Sequence, residues 1–208
     1  LSRAIPYAEN ERQQSVIRKL IEFYETGNLA VFDAYTILWV EETEGEVDFT
    51  NGFTEVYGDP LGLKASWEGY VNYTDHQATR RAQALSRNAQ WFEDHSPVDA
   101  RFKKPLCRGV SAKVINAAIL GGDLYPSSAI GINLPNSNWV RAEHGSKSVT
   151  IANLTHAYDE AARGNGFRNE FADSTQTVSL MDRYGSVCDD LHTDLHECLG
   201  HGSGRLLP

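Results

Sequence analysis

Two histidines five positions apart constrain this chain more than any other feature. They stand in a helical stretch with a glutamate beside the first: His196-Glu197-Cys198-Leu199-Gly200-His201. An α-helix turns about 100° per residue, so positions four apart lie about 40° from each other and positions five apart about 140°. The motif H-E-x-x-H uses the closer spacing to put two imidazoles on one zinc ion. At the longer spacing the rings diverge, unless the helix carries one residue too many, as a π-bulge does. The spacing therefore predicts a π-type widening over Cys198 to Gly200 if both rings are to meet one ion. Gly200 stands where backbone distortion is needed, and glycine tolerates distortion best.

The same stretch admits other uses. His192 and His196 form an ordinary i, i+4 pair that competes for the metal, although His192 lies on a polar turn and reads as solvated or supporting. Cys198 points off the shared face and reads as a small packing residue. The following Gly200-His-Gly-Ser-Gly204 is neither a nucleophile elbow nor a phosphate loop, so its glycines are expected to end the helix.

The chain of 208 residues is long enough for a real core, as one domain or two small ones. Its net charge is −9, and no Lys/Arg run exceeds a pair, which argues against nucleic acid or an anionic membrane as partner. No apolar run approaches the length of a bilayer crossing. Three scattered cysteines, Cys107, Cys188 and Cys198, argue against a disulfide scaffold and for a reducing, cytoplasmic setting.

Hydrophobic period sorts the rest. Helices are expected over Glu9 to Glu25 and Leu29 to Glu42, then extended chain from Val47 to Tyr57 and from Ser66 to Thr74. Asp75 to Asp94 reads as polar helix. Ala112 to Leu120 reads as a strand buried on both faces, and Tyr125 to Pro135 as an edge strand bracketed by prolines. Ser148 to Ala152 adds a further strand. From about Thr155 the pattern is helical, broken at Gly164 to Gly166, and a last helix starts near Ser174. This mixed order predicts an α+β fold.

Three segments carry a resemblance to a known family. His196-Glu-x-x-Gly-His201 followed by Gly-Ser-Gly-Arg-Leu resembles the signature of the dipeptidyl peptidase III family, zinc exopeptidases that release dipeptides from the N-termini of oligopeptides. Gly52-Phe-Thr-Glu55-Val-Tyr57-Gly-Asp-Pro60 and Tyr125-Pro-Ser-Ser-Ala-Ile-Gly131-Ile-Asn133-Leu-Pro-Asn136 are similar to two further segments of that family, in the same order.

The resemblance implies a two-lobed fold with a cleft between the lobes: a lower lobe with a β-barrel plus helices and a mostly helical upper lobe carrying the zinc helix. Residues 1–75 and 117–162 would form the lower part, and residues 76–116 and 163–208 the upper. It implies Zn2+ held by His196 and His201, Glu197 as general base, and Tyr57 supporting the carbonyl that becomes an oxyanion. Glu55, Asn133 and Asn136 would hold the substrate ammonium, and the strand at Ala129 to Gly131 would pair with the peptide. Apart from the resemblance, Glu55 would pair with Arg or Lys, Tyr57 would be a strand aromatic, and both asparagines would be turn residues beside Pro135. The third zinc ligand, a glutamate in a string of type E-E-x-[R/K]-A-[D/E], is expected beyond Pro208, so the chain is expected to be an inactive piece that needs the remainder of the same polypeptide. Two rival readings are a zinc endopeptidase or other hydrolase using the same motif, and a peptide-binding protein without turnover. Intact His196, Glu197 and His201 weigh against the second.

Overall fold

The computed structural model describes residues 1–55, 59, 61, 63, 65–107 and 110–206, with the backbone alone at Val110. It opens on a helical hairpin, α1 (Glu11–Thr26) and α2 (Leu29–Glu41). The Asn10 side chain accepts from Gln13 N and starts α1, and Gly27 at φ +64° ends it. Val16 and Leu20 recur one helical turn apart and are buried with Tyr35, Trp39 and Val40 of α2 and with Leu134. Fixed by one apolar stripe, the hairpin lies against the sheet.

The strands are β1 (Val47–Glu55), β2 (Ser66–Thr74), β3 (Val110–Gly122), β4 (Gly131–Leu134) and β5 (Ser146–Ile151). They form one mixed sheet in the order β1-β2-β3-β5-β4. β1, β2 and β3 are antiparallel neighbours, β3 and β5 are parallel, and β4 runs antiparallel to β5 at the sheet edge. The edge position agrees with the prolines that bracket β4 in the sequence. The line between residues 116 and 117, suggested by the resemblance as a lobe boundary, falls inside β3.

Between β2 and β3 stand α3 (His76–Arg87) and α4 (Ala89–His95), so the polar stretch expected to be helical is helical, with a break at Asn88. After β4 comes the short α5 (Asn138–Glu143), which its sequence did not announce. β5 leads directly into α6 (Ala152–Ala162), then α7 (Phe167–Phe171) and the long α8 (Thr175–Leu195). No helix among the described residues is long and apolar enough to cross a membrane.

The expectation for β3 needs correction. Ala112, Val114 and Ile115 are buried, but Ile119 is 63% exposed. The reason is the length of its neighbour: β5 pairs with β3 only as far as Ile115↔Ile151. Beyond that point the Asn153 amide donates to Ala117 O and accepts from Ala117 N (2.9 and 3.0 Å), standing in for one residue of a missing strand.

Candidate active site

The Ser174 hydroxyl accepts from Thr177 N and caps α8, which runs without a break to Leu195. There the helix widens into a π-turn, His196–Gly200. The amide of His201 donates to His196 O, five residues back, at 3.0 Å. The rings consequently converge, with Nε2 to Nε2 at 3.0 Å and ring centroids 4.7 Å apart. His192 stands farther off, 6.5 Å from His196 between centroids. The widening matches the sequence expectation, but Gly200 does not cause it. A Cβ at Gly200 would meet nothing within 4 Å, and its φ is not positive.

The support for the turn lies beneath it. Cys198 is buried with Ala82 of α3 and with Ala112 and Val114 of β3, a packing residue as its position suggests. All six residues of β5 are buried. Val149 and Ile151 enter an apolar cluster with Tyr70 and Ile115. The alternate residues Ser146, Ser148 and Thr150 project to the other face, as a period of two demands. Ser148 Oγ donates to Glu197 O at 2.8 Å, and Thr150 Oγ1 donates to Asp194 Oδ1 at 2.7 Å. Arg81 Nε donates to the other Asp194 oxygen at 2.7 Å, and Arg81 also reaches Asp190 at 3.4 Å. Asp190 and Asp194, two carboxylates near the histidines, are therefore engaged elsewhere. Neither the hydroxyls of β5 nor Arg81 was singled out in the sequence. The signal is there, as the alternation Ser146-x-Ser148-x-Thr150, but hydroxyls at a period of two ordinarily mark a solvated strand face.

Glu197 is buried to 7% exposure, whereas both histidines are exposed. Burial pushes its carboxyl up to about 7. The same kind of desolvation, helped by His196 and Arg141, lowers the pKa of His201 and favours the neutral ring that can ligate a metal. Gly131, the first residue of β4, lies directly under Glu197, where an added Cβ would stand 2.7 Å from Cγ and from Oε1. Among the described residues, His196, Glu197 and His201 form the group able to hold a metal ion, their ligand atoms all within 4.8 Å of one another.

The other expected site residues divide. Glu55 and Asn136, 81 positions apart, meet: Asn136 Nδ2 donates to Glu55 Oε2 at 3.1 Å and to Thr54 O at 2.9 Å. Asn133 is buried under the π-turn, its Nδ2 within reach of Ser148 Oγ (2.7 Å), Ser146 Oγ (3.2 Å) and Glu197 O (3.2 Å). Its Oδ1 has no hydrogen-bond partner. Ala129 is exposed just ahead of β4, and Tyr57 lies outside the described residues. Two cavities flank the turn. One, of about 800 Å³, contains Ala129, Gly131, His196 and Glu197; the other, of about 870 Å³, contains Asn136, Arg141 and His201.

The sequence pattern of peptidase family M49 matches residues 1–208. The chain belongs to that family.

Among M49 relatives, dipeptidyl peptidase 3 of Dictyostelium discoideum is 30% identical over 209 residues, covering 99% of this chain and 28% of the relative. The Homo sapiens dipeptidyl peptidase 3 is 27% identical over 207 residues, again covering 99% of this chain and 27% of the relative. The M49 chain thus spans little more than a quarter of the length of these relatives. Its fold is similar to that of dipeptidyl-peptidase III from Corallococcus sp. strain EGB, with a TM-score of 0.80 at 24% identity, covering 97% of this chain and 36% of that one.

Proposed function

We propose that the protein containing this chain is a zinc-dependent dipeptidyl-peptidase, which removes dipeptides from the N-termini of oligopeptides. One observation carries the reading: a π-turn brings His196 Nε2 and His201 Nε2 to 3.0 Å beside the buried Glu197, in a chain of a peptidase family. The donor set fits the metal. Two nitrogens bound tetrahedrally to one zinc at about 2.0–2.1 Å lie about 3.3 Å apart, close to the separation here. A third protein ligand is expected from another part of the polypeptide. When bound, zinc supplies Lewis acidity and brings the pKa of a ligated water to about 7.

Glu197 does the proton work. Its carboxylate accepts a proton from the attacking water and returns it to the departing amine. Gly131, without a side chain, leaves the Glu197 carboxylate the space it occupies.

Glu55 and Asn136 set the cutting position. Asn136 spends its Nδ2 on Glu55 and Thr54, which leaves its Oδ1 and the carboxylate of Glu55 to accept from a substrate ammonium. The Oδ1 of Asn133 has no hydrogen-bond partner, but it is closed to solvent beneath the π-turn. The start of β4, at the sheet edge, and the residues just ahead of it offer main chain at Ala129 to Gly131 for pairing with an extended peptide, and such pairing reads backbone rather than side chains. Tyr57 is the proposed support for the developing oxyanion.

The test compares full-length protein on a free and an N-acetylated oligopeptide, with metal content measured alongside. Stoichiometric zinc and release of dipeptides from the free peptide alone are expected. Equal cleavage of the capped peptide would make the enzyme an endopeptidase and remove Glu55 and Asn136 from their role.

A further inference from the structure

A π-turn has a local cost. In a regular α-helix the His201 amide would donate to Glu197 O; here it donates to His196 O instead. The Glu197 carbonyl, inside a buried residue, has thereby lost its helical donor. A buried carbonyl without a partner is costly enough to favour return to the regular helix. Ser148 Oγ fills the vacated place at 2.8 Å, and Ser148 is itself 3% exposed.

Asn133 Nδ2 also reaches that carbonyl, at 3.2 Å, but its two hydrogens are shared among three acceptors and its shortest contact is the 2.7 Å bond to Ser148 Oγ. Asn133 therefore orients the Ser148 hydroxyl, accepted by Ser148 on one side while Ser148 donates on the other. One helical turn earlier, Thr150 makes the matching bond to Asp194. The strand and the helix end are thus joined at two heights, Thr150 to Asp194 before the widening and Ser148 to Glu197 inside it.

We infer that Ser148 is the positioning residue of the active-site turn: its hydroxyl replaces the hydrogen bond that the π-widening removes from the Glu197 carbonyl, and so holds Glu197 and His201 in the register that brings both to one ion. The inference rests on the reading of Glu197 as general base and of His196 and His201 as ligands. Ser148 touches neither substrate nor metal. It acts through the backbone between the base and the second ligand.

The experiment uses full-length, zinc-loaded protein and two variants, Ser148→Ala and Ser148→Thr. Groups that support metal ligands lower activity or metal affinity about 10–100-fold when removed, and a loss in that range is expected for kcat in Ser148→Ala. KM should stay within about 2-fold, since substrate contacts are untouched. Competition with a chelator supplies a readout independent of turnover: zinc should be held about 10–100-fold less tightly, because His201 shares the register. Ser148→Thr keeps a hydroxyl on Cβ and should recover most of both losses. Wild-type kcat and zinc affinity in Ser148→Ala, with only a lower melting temperature, would overturn the inference, as would a change confined to KM or a threonine variant as impaired as alanine. Failure of the underlying reading looks different, since the unaltered protein would then lack zinc or release no dipeptides.

Discussion

A Cβ placed on Gly131 would stand 2.7 Å from Oε1 of Glu197, so the carboxylate would have to shift to admit it. The contact joins residues 66 positions apart. Gly131→Ala is expected to push the carboxylate off its line and lower kcat on the order of 10²-fold, the scale of a 1 Å misplacement. The histidines are untouched, so zinc content should stay at the wild-type level. Steady-state kinetics with metal analysis checks this, and wild-type kcat in the alanine variant would show that the contact does not matter.

The meeting of Glu55 with Asn136 gives a prediction about substrate ends. Glu55→Gln keeps the bond pattern to Asn136 but removes the charge opposite a substrate ammonium. A hydrogen bond to a charged group contributes about 1.5–3 kcal/mol, so kcat/KM on free peptides should fall about 10–100-fold. Any cleavage of N-acetylated peptides should not change. An equal fall on both substrates would assign Glu55 a structural role.

Glu197 predicts a pH effect on stability in the metal-free protein. Burial raises its folded pKa from an ordinary 4.5 to about 7. A carboxyl raised by folding stabilises fully below its unfolded pKa, and that contribution is lost as pH rises from about 4.5 through 7. Glu197→Gln has nothing to lose over this window. In chelator at pH 8 the glutamine variant should be the more stable by about 1–3 kcal/mol, and the two should converge near pH 4.5. Urea midpoints at the two pH values decide it. Parallel pH curves would mean that Glu197 ionises in the fold as it does in water.

The Arg81–Asp194 pair predicts an asymmetry. The Asp194 side chain is fully buried, while that of Arg81 is 38% exposed. Arg81→Ala strands a carboxylate in the interior with, among the described residues, Thr150 to serve it, and removal of one partner of a buried pair costs about 3–5 kcal/mol. Asp194→Asn leaves a guanidinium that can turn to water and still meets Asp190, so the cost should be smaller, about 1–2 kcal/mol. Denaturant unfolding of both variants checks the order, and equal costs would show that burial of Asp194 does not govern the pair.

Much of this architecture was legible from local pattern. Val16, Leu20 and their neighbours on α2 announce a helical hairpin because a 3.6-residue period leaves one face to bury. The prolines flanking β4 announce an edge strand because proline cannot donate to a ladder. The five-residue spacing of His196 and His201 demanded a widened helix, and the widening is there. α5 escaped because six residues carry too little periodicity to read, and the exposed half of β3 escaped because the length of β5 is not written in β3.

What the sequence determined by itself is therefore most of the elements, the family, and the residues proposed to carry the chemistry: helix period, turn residues and motif spacing are all properties of neighbours along the chain. Only the tertiary structure decided what supports that chemistry. The Ser148 bond to Glu197, the space reserved by Gly131, the engagement of Asp194 by Arg81 and Thr150, and the pairing of Glu55 with Asn136 join residues from 44 to 113 positions apart. No local pattern encodes such pairs, because burial turns a serine on a strand from a solvated hydroxyl into a donor only when a carbonyl from another element has nowhere else to turn.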